Sequence, residues 1–167
     1  MESENSKTIM HIDVNSAFLS FQAAYEKQLG VKRDLRNIPS VIGGNQNTRH
    51  GIVLAKSQLA KKAGIKTGES IVEARMKCSD LVIVPPNYNL YIKSSRALRK
   101  LLKEYSPFIE VFSVDECFLD YTKMDKHFGN PLKAAYKIRD RIFKELGFTV
   151  NIGISTNKLL AKQAGEL

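Results

Sequence analysis

The chain has no tryptophan, only two cysteines and no apolar run long enough to cross a bilayer. Each shortage excludes something. Cys78 and Cys117 stand alone in the sequence. A disulfide framework or a cysteine metal finger therefore does not fit, and a reducing compartment does. No stretch approaches the roughly 18 residues that a membrane span needs. The start, Met1-Glu-Ser-Glu-Asn-Ser-Lys7, is polar and partly acidic, unlike a secretory signal. There is no internal repeat, low-complexity tract, P-loop or Ser/His/Asp arrangement.

What is present is a globular composition with misplaced charge. Of 167 residues, 43% are apolar and 26% charged, which excludes disordered and fibrous classes. The length suits one domain or two small lobes with a real core. The net charge is +9, and it is local. Residues 1–42 carry five basic and five acidic side chains, and residues 104–167 nine of each. Residues 43–103 carry twelve basic and three acidic, so the whole excess lies there. Such a segment suits a polyanion, nucleic acid first, although a merely solvated basic surface has the same composition.

The pattern predicts a strand at 8–14 and a helix over about 16–29, capped by Asn15 or Ser16 and closed by Gly30. Val41-Ile42 leads into a turn-rich Gly43-Gly44-Asn45. A short strand at 51–55, helices near 57–63 and 69–78, and a strand at 81–84 follow. Pro85-Pro86 reads as a connector between lobes. A helix at 88–105 precedes two strands over 109–121 that meet at a tight turn around Asp115–Glu116. Pro131 opens a helix to Leu146, and Gly147 ends it. A strand at 149–154 leads to a last helix capped within Ser155-Thr156-Asn157. The order predicts an α+β fold: a mainly antiparallel sheet with helices on one face, and a smaller basic mixed α/β lobe inserted at about 19–86. The chain reads as a fragment, because it stops within this last helix.

Asp13 falls at a strand end, and Asp115 and Glu116 at a turn. If the strands are neighbours, three carboxylates converge on one sheet edge. Clustered carboxylates repel unless a cation or base compensates. Hard divalent ions do this with oxygen ligands, and a pair of them clamps the attacking and leaving oxygens of nucleotidyl transfer. An acidic pair is common by chance, so an ordinary hairpin surface stays open on this ground alone. The helix after Asp13 offers N–H groups at Ser16, Ala17 and Phe18 to an anion such as a triphosphate, although most helix starts bind nothing.

Five stretches recur in order: Asp13-Val-Asn-Ser-Ala-Phe18, Gly51-Ile-Val-Leu-Ala-Lys-Ser57, Gly64-Ile-Lys-Thr-Gly-Glu69, Ser113-Val-Asp-Glu-Cys-Phe-Leu-Asp120 and Gly153-Ile-Ser-Thr-Asn-Lys158. Together they resemble the amino-terminal part of a Y-family translesion DNA polymerase. The Ala-Lys-Ser and Ile-Lys-Thr-Gly-Glu stretches look most like its bacterial UmuC-like branch. The resemblance implies a palm at 1–18 and 87–167 and fingers at 19–86, with thumb and little-finger domains absent from this chain. It implies template-directed DNA synthesis from dNTP on a primer 3′-OH, past damaged bases. Asp13, Asp115 and Glu116 become metal carboxylates for two Mg²⁺ ions, with Mn²⁺ as a substitute. Val14 lends its backbone carbonyl. Phe18 becomes a steric gate against a ribose 2′-OH; the alternative is a core ring. Lys158 becomes the lysine that meets the triphosphate. Where many relatives carry Tyr-x-x-Arg, this chain has Gln58 and Lys61, which keep one charge but lose the phenol and the guanidinium fork. Arg49 and Lys56 are basic candidates near the nascent pair. Primer-template DNA is the implied partner, and a sliding clamp one that binds through the absent carboxy-terminal region. No membrane is implied, and the location is the bacterial cytoplasm, at the nucleoid.

His11 and His50 lack metal spacing and read as structural, Ser113 as a support for the turn, and Cys117 as a small apolar residue. Two other classes stay open. One is a catalytically silent nucleic-acid-binding or regulatory fragment. The other is a nucleotide cyclase, whose products would need no template.

Overall fold

The computed structural model describes residues 6–44 and 51–167. Asn45, Arg49 and His50 lie outside the described residues. The chain divides into two compact units, one of residues 1–15 and 92–167 and the other of residues 16–91.

The first unit is built on a four-stranded antiparallel sheet. Its strands are β1 (Ile9–Val14), β5 (Ile109–Val111), β6 (Glu116–Asp120) and β7 (Val150–Ser155), in the order β5-β6-β1-β7. Alternation along β1 sends Met10, Ile12 and Val14 to one face and Ile9, His11 and Asp13 to the other. The register puts Met10 and Ile12 with Leu119, Cys117, Ile154 and Ile152. Met10, Ile12, Cys117 and Leu119 are all buried. Helices α4 (Tyr88–Leu102) and α6 (Pro131–Leu146) turn Leu98, Leu101, Leu102, Ala134, Ile138 and Ile142 inward. Asn130 caps α6 through Lys133 N–H, Pro131 starts it, and Gly147 ends it at φ +83°. A four-residue helix, α5 (Asp125–Phe128), has no counterpart in the sequence reading.

The expected single helical face holds for α4 and α6 but not for α7 (Lys158–Glu166), which packs on the opposite face with Ile9, Phe118 and Ala161 in one cluster. The reason is Gly153. A Cβ there would overlap the Ala161 carbonyl and the Gly165 backbone. Only a bare glycine lets the helix approach the sheet this closely. Asn157 caps α7 through Leu160 N–H.

The second unit holds α1 (Ala17–Gln28), α2 (Gln58–Lys62), α3 (Ile71–Lys77) and a three-stranded mixed sheet. The sheet order is β3 (Val53–Lys56), β2 (Ser40–Gly43), β4 (Val82–Val84), with β2 antiparallel to β3 and parallel to β4. The central strand β2 was expected only as the approach to a turn. It is buried throughout, so alternation could not reveal it. Val41, Val53, Ala60, Ile65, Ile71, Ala74, Cys78 and Leu81 form the core. Ser57 and Ser70 cap α2 and α3 with their hydroxyls. The start of α1 differs from expectation. Ser16 has left-handed φ 45° and ψ 57° and makes no side-chain cap bond, although its carbonyl accepts Ser20 N–H. Asn15 is drawn off to Thr149, bonding its carbonyl and hydroxyl at 3.0 Å each.

Candidate active site

The acidic edge lies wholly within the first unit. Asp13 is directly opposite Glu116 in the β1–β6 register, so both carboxylates stand on the α7 face. Asp115 immediately precedes β6, and its carbonyl accepts Val14 N–H at 3.0 Å. The turn expected around Asp115–Glu116 lies one step earlier, at residues 112–115. Phe112 and Ser113 N–H both donate to the Glu116 carbonyl at 3.1 Å and close it there. Ser113 Oγ donates to Asp115 Oδ1 at 2.6 Å and also reaches Glu116 Oε2 at 3.4 Å.

Asp13 and Glu116 answer this crowding differently. Burial, then the negative charges of Asp115 and Glu116, push the Asp13 carboxyl from 3.8 up to about 6. Burial also pushes Glu116 up. The Lys162 hydrogen bond and charge, with a smaller contribution from His11, outweigh it and hold Glu116 below the usual carboxylate range. His11 Nε2 lies 3.0 Å and Lys162 Nζ 2.9 Å from the same oxygen, Glu116 Oε1. The Lys162 ammonium sits 4.7 Å from the Phe112 ring centroid. Glu166, on the same helix, adds repulsion to Asp13.

The donor set suits a hard cation: carboxylate oxygens, one carboxyl with its proton affinity raised by burial and, second, by its acidic neighbours. Among the described residues, no three His, Cys, Asp or Glu side chains are already gathered closely enough to hold one.

The other expected residues lie elsewhere. Lys158 opens α7 and pairs with Glu110 Oε2 at 2.6 Å, both half-exposed. Phe18 belongs to the second unit. Its half-buried ring stacks on Tyr91 at 4.4 Å and 11°, with Tyr88 edge-on at 6.1 Å. Gln58 and Lys61 are exposed on α2, three residues apart and on one side. Ser16 is exposed and Ala17 buried. Lys56 lies in β3. Cys117 packs in the sheet core, where burial pushes its thiol up to about 12. His11 is more than a packing residue, and Lys162 was not singled out at all. Its signal was the four-residue step from Lys158, which sets both on one side of a helix.

Solved Y-family polymerase chains share this fold. The crystal structure of DinB from Sulfolobus solfataricus matches 95% of this chain with a TM-score of 0.82 and 28% identity, over 45% of its own length. A Y-family chimera of Dbh and Dpo4 matches with a TM-score of 0.84 and 26% identity, over 95% of this chain and 45% of its own. The chain belongs to the impB/mucB/samB family (IMS), which matches residues 12–166. Among curated relatives, DNA polymerase IV of Clostridium acetobutylicum is 52% identical over 97% of this chain, and DNA polymerase IV 1 of Bacillus subtilis 37% identical over 97%. The chain spans 41% and 37% of those two relatives. These relatives carry the polymerase IV and DinB names, not the UmuC name of the branch that two short stretches resemble. Among the described residues, no helix is long and apolar enough to cross a membrane.

Proposed function

We propose that this chain carries the nucleotidyl-transfer site of a template-directed DNA polymerase that extends a primer 3′-OH with dNTP and continues past damaged bases. Residues 1–18 and 87–167 are its palm, and residues 19–86 its fingers. The single observation that carries the reading is the Asp13–Glu116 pair on adjacent inner strands, with Asp115 beside it and the Asp13 carboxyl pushed up by burial first and by those two charges second. The relatives' names point to the same chemistry.

In this reading Asp13, Asp115, Glu116 and the Val14 carbonyl hold two Mg²⁺ ions, for which Mn²⁺ substitutes. When bound, the ions lower the pKa of the primer hydroxyl and stabilise the leaving pyrophosphate. The protein's own work is to hold the acids. Ser113 fixes Asp115, and His11 fixes Glu116. Lys158, Gln58, Lys61 and the N–H groups of Ser16, Ala17 and Phe18 meet the triphosphate. The Lys158–Glu110 pair is exposed and worth little, so an incoming phosphate can take the lysine. Phe18 serves as the steric gate, because its stack on Tyr91 leaves the ring little freedom to yield to a 2′-OH. Primer-template DNA and a sliding clamp are the partners, and the bacterial cytoplasm, at the nucleoid, is the location.

The test is primer extension with Mg²⁺ on intact and abasic templates. It uses the native gene product over its whole encoded length, beside Asp115→Ala. Template-directed extension by the parent that is lost in the variant supports the reading. DNA binding without extension by the parent indicates a catalytically silent binding protein, and product without template a nucleotide cyclase.

A further inference from the structure

Glu116 is the one carboxylate of the acidic edge that the chain itself already neutralises. Both the Lys162 ammonium and His11 Nε2 sit on its Oε1, at 2.9 and 3.0 Å, while among the described residues Oε2 has only the 3.4 Å approach of Ser113. Lys162 is held there from two sides. Its charge faces Asp13 and Glu166 as well as Glu116, and the Phe112 ring lies against it. Its helix is fixed to the sheet by the contact at Gly153, so the ammonium is delivered by the fold and not by a wandering surface chain. A unit charge about 3 Å from a carboxylate that is wanted by a divalent ion opposes that ion directly.

We propose that Lys162 is the resident cation of this edge: it occupies Glu116 in the metal-free chain and sets how tightly a divalent ion binds. It is a positioning residue, and the inference rests on the metal reading of the same carboxylates. The lysine offsets the repulsion that would otherwise splay Asp13 and Glu116, and it withdraws from Oε1 when a divalent ion takes its place.

The test measures free Mn²⁺ by electron paramagnetic resonance during titration of the chain and of Lys162→Met and Lys162→Arg, without DNA or nucleotide. Removing the charge should tighten Mn²⁺ binding on the order of three- to tenfold. Lys162→Arg, which keeps the charge, should stay near the parent. Thermal melts supply the second readout. Lys162→Met should melt below the parent without metal and recover most of the difference in saturating Mn²⁺. If Lys162→Met does not fold, Lys162→Gln replaces it. Equal or weaker Mn²⁺ binding by the charge-free variant overturns the inference while leaving the metal reading intact. Absence of Mn²⁺ binding in both parent and variant overturns the metal reading, and this inference with it.

Discussion

Between Ser16 and Tyr91 the chain carries eleven basic and five acidic residues, and Lys61, Lys62, Lys66 and Arg75 of this set point into solvent. The other unit carries fifteen basic and twelve acidic residues, yet it gathers Asp13, Asp115 and Glu116 on one edge of its sheet. In the first case like charges are kept apart and wet, and two of the helices are capped by serine. In the second, like charges are forced together and partly dried, and one carboxyl responds with a raised pKa. The crowding of like charge falls in the unit that holds the proposed carboxylate site. The basic excess does not respect the division. Part of it, Arg96, Arg99 and Lys100 on α4 and Lys103 just after it, lies beside Ile109 and Val111 of the sheet unit.

The contrast can be broken most severely at the acidic edge. Asp115→Ala should lower single-turnover primer extension by roughly a thousandfold, since several kcal/mol of charge stabilisation go with it. Its denaturant midpoint should stay near the parent's. Next comes Gly153→Ala, which drives a methyl into the α7 backbone. It should cost about 3 kcal/mol in denaturant unfolding and loosen α7, with Lys158 and Lys162 on it. The basic unit offers the smaller effects. Phe18→Ala should cost about 1–2 kcal/mol of stability with its stack on Tyr91, and raise ribonucleotide incorporation roughly tenfold in a competition assay. Unchanged sugar selectivity removes the gate from the proposal.

The smallest effect is a pH dependence. The folded Asp13 carboxyl titrates near 6, above its ordinary 3.8, so the folded chain holds that proton more tightly than the unfolded one. The resulting stability is complete below about pH 4 and is lost as pH rises through about 6. Asp13→Asn removes the loss. In metal-free buffer it should therefore exceed the parent's stability at pH 7 by about 1 kcal/mol, after allowance for partial solvent screening. The difference should vanish near pH 4 and narrow when Mn²⁺ is added. Melts at three pH values check it.

Much of the first unit was legible in residues. Pro131 and Gly147 bracket α6 because one cannot donate a hydrogen bond and the other accepts a left-handed turn. Asp13 near the end of β1 follows from the apolar run that stops there, whereas Glu116, expected in the turn with Asp115, opens β6. The second unit was less legible. β2 is buried on both sides, and Ser16 looks like an N-cap in sequence but starts α1 from a left-handed backbone.

The sequence by itself determined the α+β class, the presence of the long helices and the place of Asp13 near a strand end, because these follow from periodicity and capping over a few neighbours. Only the tertiary structure decided that Asp13 faces Glu116, that α7 crosses to the carboxylate face over Gly153, and that Lys162 rests on Glu116 Oε1. In these contacts Asp13 and Glu116 are 103 positions apart and Glu116 and Lys162 46, while Gly153 meets Ala161 and Gly165, 8 and 12 positions on, only because the chain reverses between them. Strand register and the close approach of two backbones set them, and neither leaves a local pattern.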